Sequence, residues 1–141
     1  MGVRYLAIAV ALGGFAHAAS AQPPQATAKA AISLATVKQF LVGTWQETAD
    51  TRVTRELDAN GREFDRLTGE EGDSAPGLWT VFTGSAAPKK FSGVKLNADG
   101  FYLEIDREDD AQLFELVQLS RSDLQLVDVS RRILISFTRL N

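Results

Sequence analysis

Few side chains in this sequence could support acid–base or nucleophilic catalysis. The chain of 141 residues contains no cysteine and a single histidine, His17. We expect His17 to be lost with an N-terminal targeting segment, which would leave a mature chain without His or Cys. Hydrolases of the Ser-His-Asp and Cys-His types are then excluded, and a general acid or base would have to be Asp, Glu, Lys or Tyr.

The best candidate for such a role is Tyr102, which is followed by Glu104 and Asp106. These polar residues alternate with the apolar Phe101, Leu103 and Ile105. Successive side chains of a strand point to opposite faces, so an inward apolar stripe would direct the polar residues outwards. We therefore expect no catalytic residue and interpret the protein as a non-enzyme.

Acidic residues are concentrated between Asp106 and Asp110 and between Glu70 and Asp73. Their carboxylates could hold calcium, but both segments lack the EF-hand pattern of ligands and glycine and are more typical of solvated turns. Structural zinc sites prefer Cys and His, and the usual haem ligands are equally scarce in the mature chain. The sequence therefore predicts no metal and no cofactor.

The N-terminus has the three parts of a secretory signal peptide. Arg4 precedes the apolar run from Leu6 to Phe15, and small residues follow up to Ala21. The run is shorter than the roughly 20 residues that span a bilayer. We expect residues 1–21 to be a signal peptide, cleavage after Ala21, no stable membrane span after cleavage, and a periplasmic or secreted location.

Overall charge and length narrow the class of protein. The net charge is −3 and the sequence pI is about 5.1, so a nucleic-acid partner is not expected. The length fits one domain. We assign residues 22–32, which contain Pro23 and Pro24, to a flexible leader and residues 33–141 to a single domain.

A short helix is predicted at the start of that domain. Ala30, Leu34, Val37 and Leu41 fall on one helical face. Thr36 is the expected N-cap, and the helix should end before Gly43.

After Gly43 the hydrophobic pattern changes to a period of two. Short alternating runs, including 53–57, 78–83, 91–96 and 101–106, are separated by turn residues. Such spacing is typical of antiparallel barrels and sandwiches. This pattern therefore predicts an all-β antiparallel fold, either a barrel or a sandwich, preceded by the short helix.

The string Phe40-Leu41-Val42-Gly43-Thr44-Trp45 resembles the N-terminal G-x-W signature of lipocalins and small bacterial lipocalin-like (calycin-type) domains. Gly77-Leu78-Trp79 resembles an internal G-x-W of the small bacterial members. The resemblance implies an all-β antiparallel up-and-down barrel of about eight strands. It also implies that Trp45 plugs the closed end of this barrel and that Arg139, in the last strand, packs over Trp45. The chain is shorter than long lipocalins and lacks their cysteines, so its interior should be smaller.

The resemblance also implies a binding function. We expect capture of a small apolar molecule at the barrel mouth, and an apolar interior that either lines or fills a cavity. The residues expected there are Trp79, Phe82, Phe91, Phe101, Leu103 and Phe137. The alternative is a module that binds a protein partner, such as a secreted protease inhibitor with a lipocalin-like barrel and an extended N-terminal segment.

Overall fold

Eight antiparallel strands form a closed barrel in the computed structural model, which describes residues 32–70, 76–108 and 110–141. The expected signal peptide, and the leader apart from Ile32, lie outside the described residues. The strands are β1 (Gly43–Glu47), β2 (Val53–Leu57), β3 (Arg62–Leu67), β4 (Gly77–Thr83), β5 (Phe101–Arg107), β6 (Asp110–Leu119), β7 (Asp123–Asp128) and β8 (Ile133–Leu140). Each strand pairs with the next, and β8 pairs with β1. The predicted fold class is thus confirmed.

The helix α1 (Leu34–Leu41) precedes β1 and buries Val37 and Leu41. Its N-cap is Ser33, whose side-chain oxygen accepts a hydrogen bond from the Thr36 N–H at 3.1 Å. The expected cap at Thr36 is therefore wrong, because the helix begins one turn earlier than the spacing to Gln39 indicated. The expected end before Gly43 is correct.

We call the end of the barrel at which β1 begins, next to α1, the closed end. The main core fills it with fully buried side chains that include Leu41 of the helix. We call the opposite end, where β1 finishes at Glu47 and β2 begins at Val53, the open end. Among the described residues, no helix has the length and apolar character needed to cross a membrane.

The connection between β4 and β5 differs from the expectation. The run 91–96, predicted as a strand, contains the end of a short 3₁₀ helix, Lys89–Phe91, followed by a turn. A strand is not formed here because β4 already pairs with β5 up to Thr83 and Phe101, which leaves the intervening segment outside the ladder. This segment folds back over the outer face of the barrel.

Candidate functional site

The closed end brings together Gly43, Trp45 and Arg139. Trp45 is fully buried, and its Nε1 donates a hydrogen bond to the Leu41 carbonyl at 2.8 Å. The guanidinium carbon of Arg139 lies 4.1 Å from the centroid of the Trp45 ring. This distance is suited to a cation–π contact, and we call Trp45 and Arg139 together the plug.

Arg139 also ties the last strand to the segment that leads from α1 into β1. It donates hydrogen bonds to the carbonyl oxygens of Val42 (2.7 Å) and Phe40. Gly43 has φ of +144°, and a Cβ at this position would collide with Arg139 Nη1. The glycine is therefore required both for the backbone conformation and for the approach of the arginine.

The six aromatic and apolar residues expected in the interior separate into two groups. Trp79, Leu103 and Phe137 belong to the main core together with Trp45, and Phe101 packs against that core. Phe82 and Phe91 instead form a second cluster with Tyr102 and Leu113. That cluster lies on the outer face, because Phe82 and Tyr102 pair across β4 and β5 and alternate with the inward Val81 and Leu103. The interior placement of Phe82 and Phe91 is thus wrong, since the β4–β5 connection covers them from outside.

Tyr102 and its acidic neighbours lie on the outer face, where each contacts the β4–β5 connection. The Tyr102 hydroxyl accepts a hydrogen bond from the Asn97 N–H at 2.8 Å and thereby holds the β4–β5 connection. Glu104 and Asp106 both contact Lys90 on the outer face. In the described part of the chain, no group of three or more potential metal-binding side chains comes together.

Four charged residues occupy the barrel wall between the plug and the open end; we call Arg55, Glu63, Asp65 and Arg107 the charged cluster. Arg55 Nε and Nη2 donate to the two carboxylate oxygens of Asp65, each at 2.8 Å. Arg107 Nη2 lies 2.7 Å from Glu63 Oε1 and 2.8 Å from Asp65 Oδ2. Arg55 Nε lies 3.4 Å from Glu63 Oε1. Strands β2, β3 and β5 are therefore linked by ion pairs that cross the start of β4.

Gly77 provides the room for this link. It pairs with Glu63 at the start of β4, and a Cβ there would lie 2.7 Å from Glu63 Oε2 and 3.3 Å from Arg107 Cγ. The absence of a side chain lets Arg107 reach across β4 to β3.

Two members of the charged cluster are deeply buried, the other two are partly exposed, and the cluster is incompletely hydrogen-bonded. Glu63 is 0% exposed and Arg55 8% exposed. Within the described residues, Arg55 Nη1, Glu63 Oε2 and Arg107 Nε are buried without a hydrogen-bond partner. The Arg55 guanidinium also lies 5.2 Å from the Phe114 ring centroid and 5.7 Å from that of Phe137. Polar hydrogen-bonding capacity thus remains inside the barrel wall.

Electrostatics distinguishes the two carboxyl groups. Burial, together with the neighbouring Asp65, raises the pKa of Glu63 to about 7. Burial acts in the same direction on Asp65, but hydrogen bonds and charge from Arg55 outweigh it and hold the pKa of Asp65 well below its usual range. The cluster therefore changes its charge near neutral pH at Glu63.

The charged cluster was not predicted from the sequence, although a signal for it exists. Arg55 lies between Val53 and Leu57 on the same face of β2, and Arg107 continues the inward series of Leu103 and Ile105. Charged residues at the inward positions of neighbouring strands are the pattern that could have revealed it.

Beyond the charged cluster, most inward positions near the open end remain accessible to solvent, although Asp128, which pairs with Ile133, is buried. We call this region the mouth; by strand register it comprises Glu47, Val53, Leu67, Asp110, Ile133 and Ile135. None of these side chains is buried, and Ile133 is 49% exposed. The barrel is therefore packed at one end and lined by apolar and acidic side chains at the other.

The closed eight-stranded antiparallel barrel is compatible with a lipocalin-like fold. Comparison with protein-family models, with curated proteins and with solved structures finds no match to this chain.

Proposed function

We propose that this protein is a lipocalin-like binding protein that captures a small, largely apolar molecule at the mouth of the barrel. The observation that carries the proposal is the contrast between the two ends: the closed end is filled by its own core, whereas the inward positions of the mouth are accessible. Small-molecule sites are typically concave and mostly apolar, with a few polar groups that orient the ligand.

The mouth offers apolar side chains from three strands. Val53, Leu67, Ile133 and Ile135 supply this surface, and Ile133 is about half exposed. Burial of such a surface by a ligand would be favourable by roughly 25 cal/mol per Å² of apolar area. The binding energy would therefore come mainly from apolar contact.

The charged cluster also supports a binding function, because burying its charges is energetically unfavourable for folding. Buried ion pairs rarely stabilise a fold more than apolar residues of the same volume would, because the charges lose their hydration. A cluster placed below an accessible mouth is better explained by a role in recognition than by a role in stability.

Two adjacent residues of β8 provide a matched test. Ile133 lies at an inward mouth position, whereas Leu134 lies on the other face, and they are 49% and 55% exposed. We expect Ile133→Asp to weaken binding of the neutral apolar dye N-phenyl-1-naphthylamine about tenfold, because a charge would be desolvated beside the ligand. Leu134→Asp should change the affinity less than twofold. Equal effects of the two substitutions, or no saturable binding by the parent protein, would contradict the proposal.

We also propose that the protein acts outside the cytoplasm, after removal of residues 1–21. The support is the signal-peptide pattern around Leu6 to Ala21. N-terminal sequencing of exported protein should begin at Gln22; a sequence starting at Met1 would contradict export by this route.

A further inference from the structure

We infer that the ligand carries an uncharged hydrogen-bonding head group, such as a hydroxyl or a primary amide, which binds at the charged cluster while its apolar part occupies the mouth. This inference rests on the proposed function and adds to it the chemical class of the ligand. It concerns the polar end of the molecule, which the mouth alone does not specify.

The charge balance of the cluster favours a neutral head group. With all four side chains ionised, two arginines face two carboxylates, so their formal charges cancel. A further anion or cation at this depth would add an uncompensated charge where hydration is largely lost. A neutral head group avoids that cost.

Two unsatisfied polar atoms in the cluster favour a head group that can both accept and donate a hydrogen bond. Arg55 Nη1 can donate a hydrogen bond and Glu63 Oε2 can accept one, and neither has a partner among the described residues. Both residues are more than nine-tenths buried. Hydroxyl and primary amide groups can accept from an arginine N–H and can donate to a carboxylate, so either group suits this pair of unsatisfied atoms.

The acidic residues of the mouth disfavour an anionic head group. Glu47 and Asp110 occupy inward register positions at the open end, where they would repel an incoming anion. A cation that passed them would meet the arginine N–H groups below. Both kinds of charged head group are therefore disfavoured, at different depths.

A ligand series with one chain and four heads tests this inference. Octan-1-ol, octanamide, octanoate and octylamine would be titrated into the protein at pH 8, with affinities measured by displacement of N-phenyl-1-naphthylamine. We expect the alcohol and the amide to bind at least about tenfold tighter than the two ions. Binding of either ion as tightly as the neutral ligands would overturn the inference while leaving the proposed function intact. No displacement by any of the four would overturn both.

The variant Glu63→Gln tests whether the cluster itself makes the selection. Among the described residues, the charged groups recorded against Glu63 are Arg55 of β2, Asp65 of β3 and Arg107 of β5, and the uncharged Gly77 of β4 pairs with it. The substitution leaves a net positive cluster, so octanoate affinity at pH 8 should rise about fivefold or more. In the parent protein the same rise should appear on lowering the pH from 8 to 6, because the pKa of Glu63 is about 7.

The matched control is Glu56→Gln, which removes a carboxylate from the outer face of β2, where Glu56 contacts Arg66. It should leave octanoate affinity within twofold of the parent protein. If Glu63→Gln has no larger effect than Glu56→Gln, the cluster does not contact the head group and the inference fails. Circular dichroism of both variants establishes that they are folded, and the pH series on the parent protein supplies the same test without a substitution.

Discussion

At the residue scale, Arg139 links the last strand to the segment between α1 and β1. Its guanidinium covers the Trp45 ring and donates to backbone carbonyls between α1 and β1, as well as to the Arg121 carbonyl at 2.6 Å. One side chain thus satisfies carbonyl groups at the end of the helix and closes the seam between the last and first strands. Removal of this side chain would leave those carbonyl groups without their partner.

A double-mutant cycle measures this coupling. We expect Trp45→Ala to reduce the free energy of unfolding by about 3–5 kcal/mol, as truncation of a large buried side chain does. Arg139→Ala should cost less, and the double variant should cost less than the sum of the single losses, because the residues are in contact. Urea denaturation provides the free energies, and fully additive losses would contradict the contact.

Individual residues of the closed end could be predicted from the sequence where a known motif includes them. Gly43, Trp45 and Arg139 could be singled out because the lipocalin resemblance attaches a position to each. Strand alternation could have placed Arg55 on the inner face, but its contact with Glu63 could not be predicted, because that contact depends on the pairing register of β2 with β3. The contact of Arg107 with Glu63 likewise depends on the reach of its side chain past Gly77. Register and side-chain reach are properties of the assembled barrel that local alternation leaves undefined.

At the scale of elements, the capping residue in the first turn of α1 determines where the helix begins. Ser33 caps the helix, whereas Thr36 already lies within it and its hydroxyl contacts Ser33 Oγ at 2.8 Å. The free N–H groups of a helix start are what a cap satisfies, so the identity of the capping residue has an energetic consequence.

We expect Ser33→Ala to lower the free energy of unfolding by about 1 kcal/mol, since the Thr36 N–H would lose its side-chain acceptor. Thr36→Ala removes only the hydroxyl contact and improves helix propensity, so its effect should be smaller. Thermal and urea unfolding of the two variants compare them directly. A larger loss for Thr36→Ala would assign the cap to the wrong residue.

Strands were easier to predict than the segments between them. The alternation of β5 is visible in the sequence because Leu103 and Ile105 face the core. The run 91–96 has comparable composition but no strand to pair with, so β propensity alone predicted a strand that does not form. Tertiary context also explains why the outward Tyr102 is buried: the β4–β5 connection packs over it.

At the scale of the whole molecule, Glu63 gives stability a particular dependence on pH. Its pKa is raised from the usual value of 4.5 to about 7 in the folded protein, so the native state binds the proton more tightly than the unfolded state does. Stability should therefore fall as the pH rises from about 4.5 to above 7. Asp65 acts in the opposite direction, because its lowered pKa makes stability fall as the pH drops below about 4.

We expect the Glu63 contribution to reduce the free energy of unfolding by about 2–3 kcal/mol between pH 4.5 and pH 8. Urea denaturation across this range should show the decline, and Glu63→Gln should flatten it. Glu56→Gln, with its change on the outer face, should retain the slope. An unchanged slope in Glu63→Gln would show that another group is responsible.

The most direct test of the proposed binding function is to map which residues of the barrel a ligand contacts. Amide chemical-shift mapping of the ¹⁵N-labelled protein with octanamide should show the largest changes around Val53, Leu67 and Ile133 at the mouth, together with the Arg55 side-chain N–H. The outer cluster around Phe82, Phe91 and Tyr102 should show little change. Largest shifts at that outer cluster, or no saturable shifts at all, would contradict capture at the mouth.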